Sequence, residues 1–439
     1  AMLAWCFLVG GYTARVLDAT SGATALLTGS VTGVTLATLA LVGCNRFGCD
    51  STDISKPCLG QRGAKVILGV HLVCQLAWAG LVLCMFGRGA QTLLQTSGIA
   101  AGAPTVRGVM ALGLLGIYLL VAFRGRGVAL LTRAATPGVL TLAALVFYVI
   151  FRDVSFAELT RIPPVVDVTL GPNADLAAFA YGLGTGLCWW PALADLLRNG
   201  RSVRAAVYPQ ILTMGLFSGA MATLGLWAAL LFRSFDPNDW LQHMGGGTFG
   251  HLTLCCLGCT HLAGASACLS GIAHSLRHVR RLRQLKWQTL AALPCVPLLA
   301  CLMAPEYIYG HGQVLLVLIA YALMPVAGVM AVDYLVLRRQ RINLSQLYDD
   351  SRHAVYWYWG GVNWVTLGCI ALGTAVSLVG FNPVTHAAHP FLRILGGSPL
   401  GTLVAVALHS VFVRSFLRRR GVGGYRAPTA PQAILHVNL

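Results

Sequence analysis

At 439 residues, with 56% hydrophobic and only 10% charged, the chain is far from the soluble globular class, in which about a quarter of residues carry charge. Its formal net charge of +17 invites a nucleic-acid reading. In a chain this apolar, however, the first question is where the basic residues sit relative to the membrane-length runs.

Runs of roughly 20 apolar residues, the length a helix needs to cross a bilayer core, recur from end to end. Read against their glycine, proline and charged punctuation, they predict twelve spans: 1–17, 22–44, 64–87, 107–123, 127–151, 174–197, 205–232, 250–275, 288–304, 312–337, 361–381 and 399–417. The chain opens at Ala1 inside an apolar stretch with no basic n-region before it, so either a preceding tail is missing or span 1 is short. Span 1 also ends beside Arg15 and Asp18, and span 9 contains Pro294 and Pro297.

Basic residues test the count. The loops after spans 2, 4, 6, 8 and 10, with the C-terminus, hold 24 of the 31 Lys and Arg, including Arg124, Arg338, Arg339 and Arg426. The other loops hold seven: Arg15, Arg88, Arg107, Arg152, Arg161, Arg233 and Arg393. One missed helix would invert every later loop, so the alternation supports an even number of spans with both termini cytoplasmic. It also accounts for the net charge without nucleic acid.

Two spans look interrupted. Span 1 carries Gly10-Gly11 before Tyr12 and Thr13, and span 6 reads Tyr181-Gly182-Leu183-Gly184-Thr185-Gly186-Leu187-Cys188-Trp189-Trp190-Pro191. Freed backbone groups are costly in hydrocarbon. Breaks at a five-span offset are therefore the mark of an inverted-repeat transporter with a midplane site, although glycines also simply permit close helix packing. In span 3, His71, Gln75 and Trp78 are spaced i, i+4 and i+7, on one helical face. Trp78 there offers a π-face or fills a packing gap. Span 8 brings Thr260, His261, Ser266, Ser270 and His274; its hydroxyls are able to bond back to their own helix, and His261 reads as a packing residue or a ligand contact. Asp195 and Asp333 lie near Arg198 and Arg338 and read as local ion pairs, with Glu306 the other acid near that boundary.

Most of the 14 cysteines lie in apolar runs, where Cys acts as a small hydrophobe. Cys44, Cys49 and Cys58 share a loop with no His beside them, and read as reduced structural thiols rather than a metal site. No phosphate-binding loop, metal cluster or nucleophile triad is present in the sequence. Neither an enzyme nor a resident cofactor or metal is expected.

The span 10 run Pro325-Val326-Ala327-Gly328-Val329-Met330-Ala331-Val332-Asp333-Tyr334, then Arg338-Arg339, Leu347-Tyr348 and Gly361-Val362-Asn363-Trp364, resembles the nucleobase:cation symporter-1 family (purine-cytosine and hydroxymethylpyrimidine permeases). Gln75-Leu76-Ala77-Trp78-Ala79-Gly80 in span 3 and Trp189-Trp190-Pro191-Ala192-Leu193-Ala194-Asp195 in span 6 are similar to further motifs of that family. The chain departs from it at Leu196, where the family has tyrosine, at Val82, where some members have glutamine, and in span 8, where no Asn or Asp stands near Ala263–Ser266.

The resemblance implies an all-α membrane protein of about twelve transmembrane helices. These would form a five-plus-five inverted repeat of the amino acid–polyamine–cation superfamily type plus two extra helices: 1–151 and 174–337 as the repeats, 361–417 as the added pair, and 418–439 as a cytoplasmic tail. It implies a permease in the cytoplasmic membrane, importing a nucleobase-like heterocycle such as cytosine or hydroxymethylpyrimidine by alternating access with Na⁺ or H⁺. Trp78 and Trp189 or Trp190 would stack on the ring, with Gln75, Thr185, Gly186, Cys188 and His261 as edge contacts. Gly10, Gly11, Thr260 and Ser266 would hold the cation. The competing reading is a receptor or scaffold that keeps the permease fold and moves nothing; the expected partners are the small molecule and lipid, not nucleic acid.

Overall fold

The computed structural model describes residues 2–123, 126–165, 173–245, 247–390 and 396–425. Arg124, Arg393, Arg426 and the tail beyond Tyr425 lie outside them. All twelve predicted spans are helical. Among the described residues, eight helices are long and apolar enough to cross a membrane: Ala19–Phe47, Gly63–Thr96, Ala103–Ala122, Gly127–Asp153, Val203–Phe232, Gly247–His278, Gly312–Leu337 and Gly397–Leu417. Spans 9 and 11 are shorter, Trp287–Cys301 and Trp364–Gly380. Span 9 turns between Ala292 and Cys295, around the Pro294 that the sequence flagged, because proline cannot donate the helical bond at its own position. Leu112, Leu130, Phe147 and Leu252 stand exposed on spans 4, 5 and 8, as side chains facing hydrocarbon do. Among the described residues there is no sheet, only two isolated bridges.

Spans 1 and 6 are built in pieces. Span 6 runs as Ala174–Leu187, turns at Cys188–Trp189 and resumes as Trp190–Arg198, inside the glycine–proline stretch where a break was expected. Span 1 is a 3₁₀ turn, Met2–Trp5, followed by an α-helix, Cys6–Ala14. Gly10 and Gly11 therefore lie within unbroken helix, and the break expected there is corrected. A methyl group on Gly10 would strike the Ala222 carbonyl and the Leu226 amide, and one on Gly11 the Phe235 carbonyl. Gly10 lets span 1 lie directly on the backbone of span 7 (Phe217–Phe232), and Gly11 lets it lie against the turn that follows at Phe235, which is the close-packing role of small residues in membranes. Arg15 and Asp18, which clouded the end of span 1, belong to the turn after it: Asp18 caps span 2 by accepting from the Thr20 and Ser21 amides at 2.8 and 2.9 Å.

The chain weaves through two compact units. The first comprises Ala1–Ser30, Leu72–Thr185 and Phe217–Val317; the second comprises Val31–His71, Gly186–Leu216 and Leu318–Leu439. In the first, span 8 packs along spans 4 and 5 and beside the Met2–Trp5 turn. In the second, spans 11 and 12 pair tightly, with Gly373 against the Gly401 carbonyl. Several residues of the family-like motifs have structural jobs here. Gly328 makes room for Thr402, and Asn363 starts span 11 by accepting from the Thr366 amide at 3.3 Å while donating to the Cys58 carbonyl at 2.8 Å.

Candidate functional site

In the first unit, Trp78 is 6% exposed and meets Trp5 edge-to-face, with ring centroids 4.3 Å apart at 78°. Trp5, the last residue of the 3₁₀ turn, was not among the expected contacts. Gln75 lies half-buried one turn before Trp78 on the same continuous helix, Gly63–Thr96. Val82 is buried at the level of Gly264 in span 8. His261 is 2% exposed at mid-span, and neither ring nitrogen has a hydrogen-bond partner among the described residues. A buried imidazole must hold at least one N–H, so this arrangement costs desolvation with no return bond.

The hydroxyls follow the packing pattern. Thr260 donates to the Leu257 carbonyl at 2.6 Å, Ser266 to Leu262 at 2.6 Å, and Thr185 to Tyr181 at 2.8 Å. Each oxygen keeps lone pairs able to accept or to ligate a cation. The irregular part of span 1 that lies beside span 8 is Met2–Trp5. The reason for placing Gly10 and Gly11 at a cation, an opened helix, is thereby removed.

In the second unit, Gly186 is buried in the last turn before the break, Cys188 is half-buried in it, and Trp189 and Trp190 are buried at its far side. His71 packs against Trp190 with centroids 5.1 Å apart, tilted at 39°. Asp195 pairs with Arg198 at 3.0 Å on the surface, as expected of a local pair.

Two buried polar nodes accompany these groups, each within one unit. In the second unit, span 10 widens to a π turn, Asp333–Leu337, in which the Arg338 amide donates back to the Asp333 carbonyl at 2.9 Å. That geometry folds the guanidinium onto its own carboxylate at 2.6 Å. Asp333 also faces His409 at 3.2 Å and the Tyr425 hydroxyl at 2.7 Å. Arg338 donates to the Gly423 carbonyl at 2.7 Å and lies 4.0 Å over the Tyr425 ring. Gly423 sits at φ +79°, and a side chain there would collide with the Tyr358 hydroxyl. In the first unit, Arg88 bridges Asp236 at 3.0 Å and Glu306 at 2.6 Å. Asp236 also accepts from the Tyr309 hydroxyl at 2.7 Å and from Asn238. Tyr12 in turn donates to the Tyr309 carbonyl.

Cys58, Asp333 and His409 present ligand atoms within 4.8 Å of one another, a grouping invisible in the sequence. Asp333 there is already neutralised by a permanent guanidinium and bonded by a tyrosine hydroxyl, so a metal ion would have to displace Arg338. The donor set fits a structural node better than an ion site.

A model of the family described as permease for cytosine/purines, uracil, thiamine, allantoin matches residues 15–396. The chain belongs to this permease family. A hydantoin permease of Microbacterium maritypicum is 45% identical over 78 residues, 18% of this chain and 16% of that protein. An allantoin permease of Bacillus subtilis is 38% identical over 80 residues, again 18% and 16%. A uracil permease of Saccharomyces cerevisiae is 29% identical over 111 residues, 24% and 17%. Each alignment therefore covers less than a fifth of the relative's length. Over nearly the whole chain the fold is that of Mhp1, a nucleobase-cation-symport-1 family transporter. Its closed form with bromovinylhydantoin bound superposes with TM-score 0.74 at 20% identity, covering 95% of this chain and 91% of Mhp1. Its inward-facing form gives 0.75 at 20% identity, covering 98% and 92%. The all-helical membrane fold inferred from the sequence is thus shared with a known transporter.

Proposed function

We propose that the chain is a secondary transporter that carries a flat, nucleobase-like heterocycle across the membrane in symport with Na⁺ or H⁺. The observation that carries the reading is the interruption of span 6 by the turn at Cys188–Trp189, in a member of a permease family. Backbone released at membrane depth is tolerated only where protein or a water-filled cavity receives it. Hydantoin, allantoin and uracil, named for three relatives, share a ring bearing amide carbonyls. The cargo class that fits is therefore a cyclic amide or ureide, with cytosine, which keeps one ring carbonyl, as a neighbour; hydroxymethylpyrimidine, which has none, falls outside it.

In this reading Trp78 stacks on the ring, Trp189 or Trp190 serves it from span 6, and Gln75, Thr185, Gly186, Cys188 and His261 contact its edges. Thr260 and Ser266, with the Met2–Trp5 turn in place of Gly10 and Gly11, hold the cation. Residues 1–151 and 174–337 are the two repeats, and the arginine-rich loops and both termini face the cytoplasm.

The test is uptake into proteoliposomes under imposed Na⁺ or H⁺ gradients, with radiolabelled hydantoin, allantoin, uracil and cytosine. Gradient-driven accumulation of at least one is expected, and Trp78→Ala should weaken it about tenfold, the scale of one lost stacking contact with its buried area. Binding without accumulation would instead make the chain a receptor.

A further inference from the structure

We infer that His71 and Trp190 together form a specificity subsite that binds one carbonyl oxygen of the transported ring. The inference rests on the transport reading and deepens it. Both residues belong to the second unit and both are buried, His71 at 8% and Trp190 at 1% exposure. Their rings are neighbours, 5.1 Å apart and tilted rather than stacked. The indole Nε1–H of Trp190 and the Nε2 of His71 have no hydrogen-bond partner among the described residues. Buried polar groups are almost always paired in native proteins, and two adjacent orphans are a costly arrangement for a helix pair that could equally carry Leu or Phe. The indole nitrogen is only a donor, so what it lacks is an acceptor. With His71 as its Nε2–H tautomer, one carbonyl oxygen, with two lone pairs, satisfies both.

Position supports the assignment. Trp190 is the first residue of the half-helix that resumes after the span 6 break, where the chain leaves regular bonding. His71 shares its helical face with Gln75 and Trp78 by spacing, the face already proposed to meet the ring. A buried water would satisfy the same two groups, since it too offers an acceptor oxygen. The experiment separates the two sources.

The chain in nanodiscs or proteoliposomes is measured with hydantoin and with pyrazole, a flat five-membered ring of like size that carries no carbonyl. Trp190→Phe keeps the ring and removes the donor; His71→Phe does the same on its side; His71→Gln restores an N–H. The expected result is a KM or Kd for hydantoin raised roughly tenfold by either Phe variant, the scale of one hydrogen bond, with little change for pyrazole. The double variant should cost less than the sum of the two singles, because both groups serve one oxygen. His71→Gln should recover part of the loss. Equal weakening of both probes would assign the pair a packing role, and unchanged affinity for both would assign the oxygen to water; either overturns the subsite alone. A wild-type chain that takes up and binds neither probe, nor any other ring of the uptake panel, would overturn the transport reading and the subsite with it.

Discussion

The two buried aspartates of this protein make an instructive pair. Asp333 and Asp236 are each 2% exposed, each is paired with an arginine, and each accepts from a tyrosine hydroxyl. They differ in how the arginine arrives. Arg338 lies five residues after Asp333, and the π turn that ends span 10 brings it back, so the pair is assembled by local geometry and sealed by the Gly423–Tyr425 strap. Arg88 reaches Asp236 from span 3 across 148 residues of sequence, and its side chain stays 27% exposed. A sealed pair is all-or-none, because removing one partner strands a charge in low dielectric. A half-open pair keeps solvent and spare donors as insurance.

The difference is sharpest at the arginines. Arg338→Ala is expected to destabilise by about 3–5 kcal/mol, seen as a large drop in melting temperature in detergent. Arg338→Lys should recover only part of this, since an ammonium cannot reproduce the guanidinium's several fixed donors. Arg88→Ala should cost less, about 1–3 kcal/mol, because Asp236 retains Asn238 and Tyr309. Equal losses for the two alanines would break the comparison. Glu306→Gln, on the 62% exposed arm of the same node, should cost under about 1 kcal/mol.

The smallest effect is one of pH. Burial, and then the nearby charge of Asp236, hold the Asp239 carboxyl above the usual carboxylate range. A carboxyl whose folded pKa is raised binds its proton more readily in the folded state. Its contribution to stability therefore grows as pH falls through that raised pKa and levels off below the unfolded value near 4. Melting curves of wild type and Asp239→Asn should differ in slope only within that mildly acidic window, with the variant flatter. An unchanged slope would remove Asp239 from the node's electrostatics.

These nodes also show how far the sequence could be read. Asp333–Arg338 was legible as a pair because its partners are neighbours in the chain, but its other partners were not. His409, a polar residue deep in span 12, was the available signal, since ionisable groups in spans seek one another. Asp236 sits in a loop and Tyr309 in the short helix Pro305–Gly310, and no local pattern encodes their mutual approach; Arg88, a charge at the very end of span 3 on the arginine-poor side, was the one trace of that node. Span 6 opened where its glycines and Pro191 said it would. Span 1 did not, because a Gly-Gly pair serves a break and a tight packing contact equally well, and only the backbone of span 7 lying against it distinguishes them.

The sequence by itself determined the bilayer as solvent, the twelve helical spans, the interruption of span 6 and the family. Each of these is written in composition, in periodicity or in a short run of neighbouring residues. Tertiary structure alone decided that Gly10 and Gly11 are packing residues, that Trp5 meets Trp78, that His261, His71 and Trp190 are buried with polar atoms unmatched among the described residues, and that two aspartates are bonded by distant tyrosines. Those facts depend on which surfaces come into contact after the helices form, and hydrophobic patterning fixes that a helix is buried without fixing what it is buried against.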